Sequence, residues 1–518
     1  FLLAWHILVN SFYFTKMEIL TCKRNIVIAF FAVLFFAFLL NAINIHAIRN
    51  QSDKSNEFLN KELVFDYTIF SVDNSWYLPQ IHNYLAGKGF TCDTADTKLL
   101  VRRTPVYPMF YGIHYLLFGE QGSFKFIRIT QTFLFALAAI VFLLAVFYFT
   151  QNKRVAWLSY FLFGFNPTLI SYTFYTITES LAPALVGFML YFLARAYRYK
   201  SNKDWFIAGI LFSIASLCRP TIFIFGGAVA VMIFLLYLKN IKAMLQAGLS
   251  FGIAVLLLFT PYLIRNYKVT NGDFVLLEKY YNDPMNYGMQ NIELRKWIST
   301  WINPAEYNSE RISNKMIENV QRKQTKNSLL DSLMTTIPPA VLTKYNKEEI
   351  AQVFSAVYDF YSYKFNMPNA VHIDSAENAS ILKVRTITNH YIHQHPIQHY
   401  VLMPMIFLKS IIVQSNSATM TYLDNYHTNK ISFAIKLLLI LLNVYLFFAL
   451  IGNLFFFKKH YILLLATYLF VGVNCGYMLI VLNYFEARYL IPLFPLMYIS
   501  GAIFAVEIFA LAKRKLHF

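Results

Sequence analysis

Charge is scarce in this sequence. Asp, Glu, Lys and Arg make up 14% of its 518 residues, against about 25% in an ordinary soluble domain, and that excludes such a domain. Acidic residues are the scarcer sign, 27 against 45 basic ones, for a net charge of +18. Cysteine is nearly absent. Cys22, Cys92, Cys218 and Cys475 lie far apart, three of them in or beside apolar stretches, so neither a disulfide framework nor a zinc motif is readable. Eighteen glycines and sixteen prolines exclude a collagen-like chain, and no internal repeat or low-complexity tract is visible. What is abundant is apolar: 57% hydrophobic residues, 51 of them Phe, and a mean hydropathy of +0.46. Disorder and a secreted mini-protein are excluded together, and the composition is that of a chain living mostly in lipid.

A helix needs about 20 apolar residues to cross the hydrocarbon core. Candidate spans are 26–46, 127–149, 155–172, 177–196, 205–218, 220–238, 244–264, 431–455, 461–483 and 490–511, which predicts an all-α polytopic membrane protein of about ten spans. The run from Ile26 to Ile45 follows Lys23 and Arg24. It is too long for a signal-peptide core and lacks a small-x-small cleavage site, so it reads as a retained anchor. Residues 1–25 are then a cytoplasmic N-terminus, and the origin of 1–16, ahead of the first methionine at Met17, stays open. Lys23/Arg24, Lys153/Arg154, Arg195/Arg198/Lys200/Lys203, Lys239/Lys242, Lys458/Lys459 and Lys513/Arg514/Lys515 all fall on one side of such a bundle. By the positive-inside rule that side is cytoplasmic, with both termini. The basic residues are therefore spread over many loop ends, which excludes a nucleic-acid partner.

Two long segments then face outward, 47–126 and 265–430. The first holds amphipathic stretches near 74–86 and 104–118 that suit the membrane surface. The second is polar up to about His395, with helical patterning at 309–330 and 347–364, and ends in an apolar stretch, Tyr400–Val413. That stretch is short for a span and is expected to be an interfacial helix. The organisation expected is a catalytic membrane module over 26–264, a soluble and interfacial outer segment over 265–430, and further spans over 431–518.

The informative residues are those a membrane should reject, because an ionisable group within a span costs roughly 2.5–3.5 kcal/mol and usually has a partner or a task. Glu179, Arg219, Arg265 and Arg488 all land at outer helix ends, and Asp73 and Arg103 lie in the first outer segment. Arginine presents a planar fork of donors that matches phosphate oxygens. Each residue also has a plainer reading. Asp73, just before Asn-Ser-Trp-Tyr, suits a helix N-cap; Arg265 and Arg488 can snorkel to headgroups; Arg219 before Pro220 can mark a tight turn. Glu179 fits least well as a structural residue, since a carboxylate opening a span gains only a little from the helix dipole.

Read together, four local motifs resemble the GT-C superfamily of membrane glycosyltransferases, in the branch of the protein O-mannosyltransferases and the lipid A aminoarabinose transferase. They are Ser71-Val-Asp73-Asn-Ser-Trp-Tyr77 with Leu85-Ala-Gly87-Lys-Gly89-Phe90; Arg103-Thr-Pro105-Val-Tyr107-Pro108 with Leu116-Leu-Phe118-Gly119; Thr178-Glu179 with Leu217-Cys-Arg219-Pro220; and Pro261-Tyr-Leu-Ile-Arg265-Asn266-Tyr267. Glu486-Ala-Arg488-Tyr489 is a weaker match. The resemblance covers roughly 25–270 in order and spacing. Val106 stands where the family has Gly, Pro79 falls in the helix expected after Asp73, and 265–430 matches no segment of the family.

The resemblance implies a GT-C-like bundle that transfers a sugar from a polyprenyl-phosphate donor to a lipid, glycan or protein acceptor on the outer face. A phosphate leaving group needs charge stabilisation, which arginines supply, and an acceptor hydroxyl needs a general base. By resemblance that base is Asp73. Arg103, Arg219, Arg265 and Arg488 are candidates for the donor phosphate. Tyr77, Tyr107 and Glu179 are candidates for orienting substrates, Glu179 alternatively for holding an arginine. No metal is required by the motifs, and a divalent ion stays open. His82, His114 and the group His390, His393, His395 and His399 lack a ligand spacing backed by a carboxylate. Asn378-Ala-Ser380 fits a glycosylation acceptor. The rival reading is a transporter or flippase for a lipid-linked glycan. Such proteins place ionisable groups near mid-membrane and often carry inverted repeats, whereas here the charges gather at one face.

Overall fold

The computed structural model describes residues 23–52, 74–91, 101, 103–270, 272–278, 289–300, 309–323, 325–335, 337, 339–342, 345–366, 370–414, 430–482 and 487–516. Asp73 and Glu486 lie outside the described residues. The helices of the membrane part are α1 (Lys23–Ser52), α2 (Asn74–Leu85), α3 (Val106–Thr150), α4 (Lys153–Gly164), α5 (Pro167–Tyr172), α6 (Ala182–Tyr199), α7 (Asn202–Cys218), α8 (Phe225–Leu236) and α9 (Ile241–Val269). The long polar segment follows with α10 (Met289–Ser299), α11 (Ser309–Gln321), α12 (Lys326–Met334), α13 (Pro339–Leu342), α14 (Lys347–Asn366) and α15 (Ala370–Gln394). The chain returns to the bundle with α16 (Met403–Gln414), α17 (Lys430–Gly452), α18 (Tyr461–Gly476) and α19 (Phe494–Leu516). Among the described residues every regular element is helical, as expected of an all-α polytopic membrane protein.

Among the described residues, six helices are long and apolar enough to cross a membrane, within α1, α3, α9, α17, α18 and its continuation, and α19. The other four expected spans are built from shorter pieces. The stretch 155–172 is split where Asn166 caps α5 ahead of Pro167. The stretch 220–238 opens as a 3-10 turn, Pro220–Ile224, before α8. Residues 178–180 form another such turn before α6, and α7 has only 17 residues. Proline favours the first helical position because its missing N–H would be unpaired there anyway, so Pro167 and Pro220 restart helices instead of extending them.

The core is organised around α3, whose residues Phe135 to Val146 are all buried. Lipid tails are as apolar as leucine, so helix association rests on close packing and on hydrogen bonds between helices. Gly209 of α7 lies against α9, where an added Cβ would stand 2.6 Å from the Phe251 carbonyl oxygen. Tyr160 donates to the Ala29 carbonyl at 2.7 Å, and Asn453 Nδ2 to that of Ser500 at 2.7 Å. At Gly119, with φ 69° and ψ −176°, α3 breaks into two helical parts, a conformation essentially restricted to glycine. The part before it, 106–118, is the expected amphipathic stretch. Pro79 sits inside α2 without ending it.

The polar turns of the bundle gather at one end. Asn152, Ser201 and Asn240 cap the helices that follow them, each accepting from backbone N–H groups, while Gln151 and Lys200 end the preceding helices in the left-handed region. The Tyr148 and Tyr199 rings meet at 5.7 Å, the Lys200 ammonium lies 5.4 Å from the Tyr237 ring, and Lys459 pairs with Glu507 at 2.5 Å. The basic turns after α3, α6 and α8 are thus neighbours in space, the loop before α18 meets α19, and the residues ending α7 and α9 lie at the far ends of helices that start from those turns.

Helices α10 to α15 enclose a separate core that includes Trp297, Met316, Leu329, Phe354 and Val384. Asn378 stands exposed within α15, and Ser380 is fully buried, so the Asn378-Ala-Ser380 pattern is helical and not a loop. The apolar stretch after α15 departs from the expectation of an interfacial helix. The chain bends by 98° between Ser375–Gln394 and Gln398–Val413. Ile411 of α16 is fully buried in the main core, and Asn443 of α17 donates to the carbonyls of Ile411, at 3.0 Å, and Ile412. Asn443 is thirteen residues beyond Lys430, about 20 Å along the helix at 1.5 Å per residue, so α16 descends well into the bundle. The cause is chemical: carbonyls at a helix C-terminus need donors, and Asn443 brings one inside a span. In a background with the native cysteines replaced, Val413→Cys is expected to react far more slowly with a membrane-impermeant maleimide than His390→Cys. Equal rates would place α16 at the surface after all.

Candidate active site

The end of the bundle opposite the basic turns carries the ionisable residues. Glu179 lies in the 3-10 turn between α5 and α6 and is 1% exposed. Its Oε1 stands 2.8 Å from Arg219 Nη1 and 3.6 Å from Arg488 Nε. Thr178 completes the arrangement: its hydroxyl donates to Glu179 Oε2 at 2.9 Å and accepts from Arg219 Nη1 at 3.0 Å. Arg219 Nη2 also donates to the Arg488 carbonyl at 3.2 Å, and the guanidinium lies 5.7 Å from the Tyr489 ring. A buried charge persists only when paired and hydrogen-bonded, and here one carboxylate serves two arginines from distant parts of the chain. Glu179 therefore holds arginines, the alternative left open by the sequence.

Beside this cluster, Tyr77 of α2 and Tyr107 of α3 pack with Leu181 and Cys218, their rings 5.3 Å apart. Arg103 stands 5.9 Å from the Tyr77 ring, and its Nη1 lies 3.6 Å from Glu278 Oε2. Tyr107 is fully buried and donates to Gln131 Oε1 at 3.0 Å. Arg265, near the end of α9, donates through Nη2 to the Phe90 carbonyl at 2.5 Å and through Nη1 to Asn266 Oδ1 at 3.0 Å. Arg265 thereby joins α9 to the chain just after α2, and Arg103 joins the start of α3 to the chain after α9. Of the sequence candidates, Glu179, Arg219 and Arg488 form one cluster, and Tyr77, Tyr107 and Arg103 form the next. Arg265 ties a neighbouring edge, and Asp73 directly precedes α2 in sequence, outside the described residues.

Sequence reasoning missed Glu278 and Gln131. Glu278 lies in a polar segment with nothing to distinguish it from other surface acids. Gln131 is uncharged and escapes a search for ionisable groups, although an amide inside a span is itself a signal, because its polar atoms need partners there. Among the described residues, no three His, Cys, Asp or Glu side chains group closely enough to hold a metal ion.

A polytopic helical membrane protein with one carboxylate holding two arginines at one membrane face is the class that fold and site define. Residues 102–264 match the family model of dolichyl-phosphate-mannose-protein mannosyltransferases. With the motif series, that match supports a membrane glycosyltransferase of the GT-C superfamily. The crystal structure of the Archaeoglobus fulgidus oligosaccharyltransferase, in complex with Zn and sulfate, aligns with 92% of this chain at 13% identity and a TM-score of 0.42. The chain spans 50% of the length of that protein. No curated protein matches the chain.

Proposed function

We propose that the protein moves a sugar from a polyprenyl-phosphate donor to a hydroxyl of a lipid, glycan or protein acceptor, at the outer face of the cytoplasmic membrane with both termini inside. The observation that carries this reading is the buried Glu179 holding Arg219 and Arg488, at the end of the bundle away from the basic turns. Formally that trio has one positive charge in excess, which suits a phosphate in a low-dielectric setting. Arg103, paired with Glu278, lies beside Tyr77, and Arg265 ties a neighbouring edge.

In the reaction proposed, the acceptor oxygen attacks the anomeric carbon as the bond from that carbon to the phosphate oxygen breaks. The polyprenyl phosphate leaves with the bonding pair, stabilised by the arginines. The hydroxyl proton passes to the Asp73 carboxylate. Tyr77 orients the sugar, and Tyr107, whose ring packs on that of Tyr77 at 5.3 Å, holds Tyr77 in place from behind.

The test is mass spectrometry of outer-surface lipids and glycoproteins with and without the gene, followed by transfer assays on the purified chain in vesicles. The expected result is one hexose, pentose or amino-sugar increment lost with the gene, and polyprenyl phosphate released in the assay. Unchanged envelope glycans, together with movement of intact donor between leaflets, would overturn the enzyme in favour of a flippase.

A further inference from the structure

Gln131 of α3 is fully buried and joins the two halves of the site. Its Oε1 accepts from the Tyr107 hydroxyl at 3.0 Å and from the Ser180 hydroxyl at 2.7 Å. Its Nε2 donates to the carbonyls of Thr173, at 2.8 Å, and Tyr175, at 3.2 Å. A primary amide offers two lone pairs and two N–H donors, and Gln131 uses all four. The four partners fall on both sides of the functional cluster. Tyr107 packs on Tyr77, and the segment 173–180 carries Thr178 and Glu179. An apolar side chain would fill this place in a helix without asking for partners, so the amide is there for its directional bonds.

We propose that Gln131 is a positioning residue, setting the Thr178-Glu179-Ser180 turn against Tyr107 and thereby fixing where Glu179 presents Arg219 and Arg488. This rests on the transfer reaction proposed above. The segment 173–180 has no regular helix along most of its length, and its own short-range bonds, such as the Ser180 backbone N–H to the Ile177 carbonyl at 3.2 Å, fix its shape but not its place. The Gln131 amide ties it to α3 at three points. Asn41 adds a tie from α1, donating to Thr132 at 3.0 Å and Thr173 at 3.3 Å.

The test compares the full-length protein with Gln131→Leu and Gln131→Glu by hydrogen exchange and by transfer assay. Leucine removes all four bonds. Backbone exchange in 173–181 is expected to rise while α4 keeps its protection, and kcat to fall on the order of 100-fold, the scale of a misplacement of about 1 Å, with donor KM little changed. Glutamate keeps the acceptor for Tyr107 and Ser180, and when protonated recovers one donor, so it is expected to restore part of kcat, more at lower pH. Native exchange and native kcat in Gln131→Leu would overturn the proposal, as would raised exchange with native kcat. If exchange rises but the wild-type chain transfers no sugar, the structural tie stands and the transfer reading fails. Should Gln131→Leu not purify as a folded protein, Ser180→Ala makes the same test. It is expected to show the exchange increase and a roughly fivefold loss of kcat, as for one hydrogen bond, and an unaltered Ser180→Ala would overturn the role.

Discussion

Glu179→Gln is expected to cost about 3–5 kcal/mol of stability, the scale for breaking a buried ion pair by removing one partner. Glutamine has nearly the same shape, so no cavity forms, and the loss isolates the charge. Arg219 is almost fully buried and pairs with Glu179 at 2.8 Å. Without the carboxylate, nothing from Glu179 offsets the repulsion between the charge of Arg219 and that of Arg488. The reading of the site adds a second, sharper expectation. An anion that binds the native state alone stabilises it by RT ln(1 + [L]/Kd). If the donor phosphate sits on these arginines, polyprenyl phosphate should raise the unfolding temperature of Glu179→Gln by more than it raises that of the wild type. The check is thermal unfolding of both proteins in detergent micelles with and without polyprenyl phosphate. A stable Glu179→Gln would mean that the pair does not hold the bundle end together. Equal lipid-induced shifts would mean that the phosphate binds elsewhere.

How far the sequence carried this site depends on what kind of residue was involved. Glu179, Arg219 and Arg488 were visible because charge at a span end is costly, and cost implies a partner; their mutual contact was not visible, since 41 and 269 positions separate Arg219 from its Thr178 and Arg488 partners. Asn443 and Gln131 escaped for the opposite reason. Uncharged amides are cheap enough in an apolar run to pass as span residues, yet one draws α16 into the bundle and the other ties the segment 173–180 to α3. The span count suffered likewise. Apolar length marks where the chain can enter lipid, but Pro167 and Pro220 decide where a helix restarts, and hydropathy does not register that. The basic turns after α3, α6 and α8 were legible, because each carries its own cap, Asn152, Ser201 or Asn240, and its own charge, and no long-range contact is needed to read them.

Asp73→Asn is expected to reduce transfer by roughly 10²–10⁴-fold, the range that general base catalysis supplies, while leaving folding and donor binding intact. The substitution is chosen because Asp73 has two readings. As an N-cap for the helix that begins at Asn74, Asp and Asn serve about equally well, so a capping role predicts almost no effect. As a base, Asn cannot take the proton, and the acceptor hydroxyl must be deprotonated without help. Asp73→Ala removes both roles and separates them further: its extra loss of stability beyond Asp73→Asn measures the cap, and its shared loss of rate measures the base. Two measurements decide the matter, the single-turnover rate at saturating donor and the unfolding temperature of each variant. A slow but fully folded Asp73→Asn, with donor affinity unchanged, assigns the proton to Asp73. Transfer retained by Asp73→Asn removes the base from this position. The donor cluster at Glu179, Arg219 and Arg488 would then still point to a phosphate, but the proton acceptor would have to be sought among other carboxylates at the same face, beginning with Glu278, whose Oε2 lies 3.6 Å from Arg103.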